Sequence, residues 1–179
     1  MSKKAILTIA TLVLVMTLSA IGVSCGPSEP SQFLTYTDEA NRFSIDYPQG
    51  WDVNPEESSD VKVAIWSKKF GINAAGILVA KYKATGYTLK TFSDFQIEAL
   101  PNIIKDYAPI STEELTINGI PAIEHVYGHT VTPTSYITMR VYLVEDGTGW
   151  ILGFPCPQKS LDSFKSTFET VLNSLRLFK

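Results

Sequence analysis

Cysteine is nearly absent: Cys25 and Cys156 are the only two in 179 residues. No disulfide framework can be built from them, and if Cys25 is modified, Cys156 has no partner in its own chain. Stability therefore has to come from an apolar core. The catalytic signatures are missing too. There is no Gly-x-Ser-x-Gly, no phosphate-cradling glycine loop and no His-Glu-x-x-His, so the chain is not expected to be an enzyme. Basic clusters are lacking: 15 Lys and Arg against 18 Asp and Glu leave a net charge of −3. That balance excludes nucleic acid as a partner, which demands massed Lys and Arg. It also excludes electrostatic docking onto an anionic bilayer. No repeat or low-complexity tract is present.

What is present begins at the amino terminus. Lys3 and Lys4 precede a run without charge from Ala5 to Val23, which closes on the small residues Gly22-Val23-Ser24 before Cys25. A positive start, an apolar middle and a small residue before the cut describe an export signal. A cysteine directly after it resembles the bacterial lipoprotein signal, in which the thiol receives diacylglycerol and becomes the first mature residue. Residues 1–24 are expected to be this signal and Cys25 the lipidation site, with the domain extracytoplasmic and held to a bacterial membrane by acyl chains such as palmitate. Gly22 stands where that pattern prefers Leu, Val or Ile. An uncut anchor of about 18–20 residues and an ordinary cleavage site are the two alternatives. Loss of residues 1–24 removes two lysines, leaving 155 residues with a net charge of −5. Each buried methylene contributes about 0.8 kcal/mol, so several acyl chains hold a soluble domain firmly.

Residues 25–32 are polar and rich in helix breakers, which reads as a flexible tether. The remainder, 33–179, reads as one α+β domain. Phe33 to Thr37 and Phe43 to Tyr47 predict a hairpin. Val61, Val63 and Ile65 alternate with polar or small neighbours, and Ala74 to Tyr82 is expected to pair with them across Phe70-Gly71. A helix is predicted from Leu89 to about Tyr107, capped by Thr88 or Ser93 and kinked or divided at Pro101. Asn118-Gly119 between Leu115 and Ile123 signals a type I′ hairpin, whose return strand carries Glu124, His125, Val126 and Tyr127. From Ser135 to Glu145, Ile137, Met139, Val141 and Leu143 share one face and Tyr136, Thr138, Arg140 and Tyr142 the other. Asp146-Gly147 turns the chain into Trp150 to Phe154. A second helix follows, with Ser160 as cap, an apolar stripe from Leu161 to Leu175, and Arg176 and Lys179 suited to its negative end. The expected architecture is a central antiparallel β-sheet flanked by helices.

Two stretches carry a family resemblance. Tyr36-x-x-x-x-Asn41-x-Phe43-Ser44-Ile45-x-Tyr47-Pro48-x-Gly50-Trp51 resembles the opening of PsbP-like domains. The Ile117 to Ala122 hairpin and the closing helix, Phe164-x-x-x-Phe168-x-x-x-Leu172-x-Ser174-Leu175, are similar to theirs. The resemblance spans Phe33 to Phe178. It implies an α/β/α sandwich. In plants and cyanobacteria, members of that family are extrinsic photosystem II proteins that help retain calcium and chloride. Many bacterial relatives are exported lipoproteins without an assigned role. The function expected here is that of a non-catalytic module binding a protein or assembly partner at the membrane, the alternative being a domain that binds a small ligand or a divalent metal such as calcium or manganese.

The candidate sites are few. Glu124, His125 and His129 are the possible metal ligands. On a strand the two histidines share a face about 13 Å apart, too far for one ion unless Gly128 bends the chain, and Glu124 points away. Cys156, between Pro155 and Pro157, would be a nucleophile only with a depressed pKa. The acidic loop Glu56-Glu57-Ser58-Ser59-Asp60 lacks the Asp-x-Asp-x-Asp-Gly spacing of a calcium loop. Trp51, Trp66 and Trp150 could line a groove, though at strand spacing they suit a core. No cofactor is expected, with calcium or another divalent ion left as the open alternative.

Overall fold

Alternation along the strands decides which residues meet, because successive side chains point to opposite faces. A computed structural model describes residue 30 and residues 32–55, 59–67 and 73–178. In chain order it gives β1 (Phe33–Asp38), β2 (Phe43–Pro48), β3 (Asp52–Pro55), β4 (Val61–Trp66), β5 (Gly76–Lys83), α1 (Leu89–Ile103), β6 (Ala108–Ile117), β7 (Ile120–Val131), β8 (Thr134–Glu145), β9 (Thr148–Pro157), α2 (Leu161–Ser174) and β10 (Arg176–Leu177). Seven strands form one antiparallel sheet in the order β3-β4-β5-β9-β8-β7-β6, and β1-β2-β10 form a second, small one.

The large sheet has helix α1 on one face and α2 with the small sheet on the other. On the α2 face Ile65, Ile77, Val141, Leu143, Leu152 and Phe154 are fully or almost fully buried beneath Phe43, Phe168 and Val171. On the α1 face a smaller cluster gathers Phe92, Ile123, Tyr142 and Ile151. Gly149 makes that contact close: a Cβ there would collide with the Phe92 ring. Gly76 does the same for Trp66.

Several local expectations shift. Helix α1 ends at Ile103 rather than near Tyr107, and Pro101 sits in its last turn, where the absent N–H costs one bond near the end instead of splitting the helix. The Ile104 N–H donates to the Leu100 carbonyl at 2.8 Å and closes that turn. Thr88 is the N-cap, in a reciprocal box with Thr91. Strand β6 is ten residues long, begins at Ala108 and carries Pro109 near its start, as an edge strand permits. Short β3 and β10 went unpredicted, since four and two residues show too little alternation to stand out. Asn118 and Gly119 both adopt positive φ, 51° and 86°, as the hairpin turn requires. Ser160 precedes α2 without a side-chain capping bond, because a short 3-10 turn over Gln158–Ser160 leads in. Arg176 donates to the Asn173 and Leu175 carbonyls and covers the helix's negative end. Phe70, Gly71, Lys179, the leader and Cys25 lie outside the described residues.

Candidate functional site

Strand β7 places Ile123, His125, Tyr127 and His129 on the α1 face, opposite Tyr142, Arg140, Thr138 and Tyr136 of β8. Helix α1 covers the Ile123–Tyr142 end with apolar side chains. Toward the other end the face turns polar and aromatic. Tyr107, which follows α1, stacks on His125 at 6.1 Å and His125 on Tyr127 at 5.7 Å, while His129 meets Tyr127 at 5.7 Å and Tyr136 at 5.6 Å with tilted rings. The Arg140 guanidinium lies 6.0 Å from the centre of the Tyr127 ring.

Both nitrogens of buried His125 are engaged: Nε2 is 2.7 Å from the Tyr107 hydroxyl and Nδ1 2.7 Å from the Thr112 hydroxyl. A neutral imidazole offers one donor and one acceptor, and a hydroxyl can answer either. His129 Nε2 meets the Thr138 hydroxyl at 3.0 Å. Burial lowers the pKa of both histidines and the charge of Arg140 lowers it further. Both effects favour the neutral imidazole.

The three candidate ligands do not come together. His125 and His129 stand on either side of the Tyr127 ring. Glu124 faces α2, where burial and the neighbouring Glu113 raise its pKa while Lys165 opposes them. Among the described residues no group of three His, Cys, Asp or Glu side chains converges as a metal site would.

Comparison with solved structures decides the frame that carries this face. Cyanobacterial PsbP (CyanoP) of Synechocystis sp. PCC 6803 matches with a TM-score of 0.61 at 16% identity, over 87% of this chain and 98% of its own. LpqN of Mycobacterium tuberculosis, involved in cell envelope biogenesis, matches with a TM-score of 0.62 at 11% identity, over 86% and 100%. The Saccharomyces cerevisiae Ran-binding protein Mog1p gives 0.57 at 10% identity, over 82% and 95%. The fold is PsbP-like. No family model matches the sequence, and no curated protein matches it. At such identities the likeness is one of fold, and function has to be argued from this chain's own residues.

Within the PsbP-like frame Cys156 lies on the α2 face of β9, fully buried, and burial pushes its thiol up to about 11. It is a core side chain with almost no thiolate at neutral pH. Trp51 packs edge-on against Phe164 at 5.9 Å and Trp150 against Phe43 at 5.6 Å, so both serve the core. Of the acidic loop only Ser59 and Asp60 are among the described residues. Sequence reasoning missed Tyr107 and Thr112 at the histidine face, because Tyr107 was assigned to the helix and β6 was begun too late. The signal for Arg140 was available in its alternation with Tyr136, Thr138 and Tyr142.

Proposed function

We propose that this chain is a non-catalytic binding module, exported and tethered through a lipid on Cys25, which engages a protein partner through the outer face of α1. The leader pattern before Cys25 supports the address. The exposed apolar stripe on α1 carries the binding reading. Phe95 is 60% and Ile103 69% exposed, about two turns apart along α1. Tyr87, itself partly exposed, leans on Phe95 with ring centres 6.3 Å apart. Large apolar side chains left in water along one helix mark an interaction surface.

A protein surface fits this stripe better than the bilayer does. The tether of residues 25–32 joins β1, which belongs to the small sheet on the α2 side. Eight residues span at most about 28 Å, and packed layers are about 10 Å apart. To lay α1 on the membrane, the tether would have to wrap the full depth of the domain. The partner reading also agrees with the names of two structural neighbours, a Ran-binding protein and one in envelope biogenesis. The divalent-metal alternative would need Glu124 to leave the α2 face.

Mass spectrometry of the membrane-fraction protein tests the address, and an unacylated amino terminus elsewhere than Cys25 overturns it. Cross-linking in intact cells with wild type and with Phe95→Ser/Ile103→Ser tests the surface. The expected result is a specific adduct that the double variant loses while its circular dichroism is unchanged. An adduct that survives the variant, or none at all, sinks the reading.

A further inference from the structure

On the α2 side of the sheet, remote from the α1 stripe, a cleft of about 290 Å³ opens between the large and small sheets. Three segments distant in sequence build it. The β1–β2 turn supplies Asn41 and Arg42, strand β5 supplies Lys81, and the β8–β9 turn supplies Glu145 and Asp146, with Trp150 among the lining residues. We infer that this cleft is a binding site for a small zwitterion of amino-acid size. Its carboxylate is received by Arg42 and Lys81 and its ammonium by Glu145 and Asp146.

Both charge signs line the cleft. Lys81 pairs with Trp150 across β5 and β9, and Glu145 lies on β8, the next strand over. Two strand spacings and a two-residue offset along the strands separate their backbones by about 12 Å. Lys81 does not reach across that gap to Glu145, being held at Asn41 and Trp150 instead. The gap suits a molecule a few ångströms long with one charge-assisted hydrogen bond at each end. Among the described residues neither Arg42 nor Lys81 forms an ion pair with Glu145 or Asp146. Lys81 Nζ donates to the Asn41 carbonyl at 3.0 Å and lies 5.2 Å from the centre of the Trp150 ring. An ammonium has three donors, so Lys81 is oriented and still has hydrogens to give.

The walls are fixed before any ligand arrives. Asp38 accepts from the Asn41 backbone and side-chain amides, each at 2.8 Å. The Phe178 N–H donates to the Arg42 carbonyl at 2.9 Å, and the Ala84 N–H to the Gly147 carbonyl at 2.9 Å. Arg42 and Asp146 both hold left-handed backbone, φ 64° and 48°, where glycine or asparagine would be the easy choice. At both positions a charged side chain lines the cleft instead. Ile120, Leu177 and Phe178 join Trp150 in the lining and add apolar surface, which calls for an aliphatic side chain on the ligand. The volume lies just below the usual range of ligand pockets, about 300–1,000 Å³, as suits a ligand of amino-acid size.

Titration calorimetry with L-leucine, L-leucinamide and N-acetyl-L-leucine tests the site. Leucine is expected to bind saturably, and each capped analogue, lacking one charge, to bind about 10- to 100-fold more weakly. Arg42→Asn and Asp146→Asn remove one charge each with a residue that tolerates left-handed backbone, so the turns survive. Arg42→Asn should erase the preference for leucine over leucinamide, and Asp146→Asn the preference over N-acetyl-leucine. No saturable heat with leucine up to about 10 mM, equal binding of the capped forms, or variants that alter neither preference each overturn the proposal. Because Phe95 and Ile103 lie across the sheet, this result is independent of protein capture by α1.

Discussion

The two faces of the seven-stranded sheet use the same strands for different chemistry. The α2 face is dry over its core, where aliphatic and aromatic side chains run from Val63 to Phe154 and the thiol is buried, and charges such as Lys81 and Glu145 line the cleft beside it. The α1 face is dry only beneath Phe92, and beyond it runs the row of Tyr107, His125, Tyr127, His129 and Tyr136 beside Arg140. The dry face loses most when volume is removed, because burial drives its stability. The mixed face depends on directed hydrogen bonds and on the charge state of its histidines, so it should respond to pH through them.

The largest effect is expected from the dry face. Phe168, 2% exposed and packed 5.2 Å from Phe154, should cost about 3–5 kcal/mol on replacement by alanine, read as a shift in urea midpoint. A loss below about 1 kcal/mol would erase the distinction between the faces. Cys156 sharpens it by another route. With its pKa raised from the ordinary 9.0 to about 11, its thiolate population is about 100-fold below that of the unfolded chain at pH 7–8. Labelling by a disulfide reagent should follow global unfolding, and rapid labelling of the native protein would contradict the buried placement.

On the mixed face, His125→Ala removes both 2.7 Å hydrogen bonds and should cost about 1–3 kcal/mol, less than Phe168→Ala. Its pH dependence has a definite sign. Both histidines have folded-state pKa values below the ordinary 6.5, because burial and then Arg140 oppose the charge. The unfolded chain therefore takes up protons first, and stability falls as pH drops from 6.5 through the lower folded values. Urea midpoints at pH 7.5 and 5.5 should show this, and a His125→Gln/His129→Gln variant should flatten that part of the profile. The smallest effect belongs to Glu124, whose raised pKa means that its charge is disfavoured in the fold. Glu124→Gln should stabilise by about 0.5 kcal/mol or less at pH 7, since solvent screens a half-buried group.

Much of this architecture could be read along the chain. Period-two alternation in Ile137 to Leu143 assigned each residue of β8 to the face where it lies, and Asn118-Gly119 located the β6–β7 hairpin by its need for positive φ. Glu124 was likewise expected to point away from the histidines, as it does. The histidine face was only half legible. Its β7 and β8 members alternate visibly, but Tyr107 arrives from the α1–β6 connection, and nothing local announces that a tyrosine past a helix will stack on a histidine eighteen positions later. The cleft at Arg42, Lys81 and Asp146 was not legible, because its charges come from turns and a strand whose proximity depends on how the small sheet closes over the large one.

By itself the sequence determined the local terms: the strand faces, the turns and the two amphipathic helices, all of which depend on neighbours a few residues apart. Only the tertiary structure decided which faces meet. The order β3-β4-β5-β9-β8-β7-β6, the stacking of Tyr107 on His125 and the meeting of Lys81 and Glu145 at one cleft are long-range contacts. Burial of the whole apolar surface selects such contacts, and no single segment encodes them.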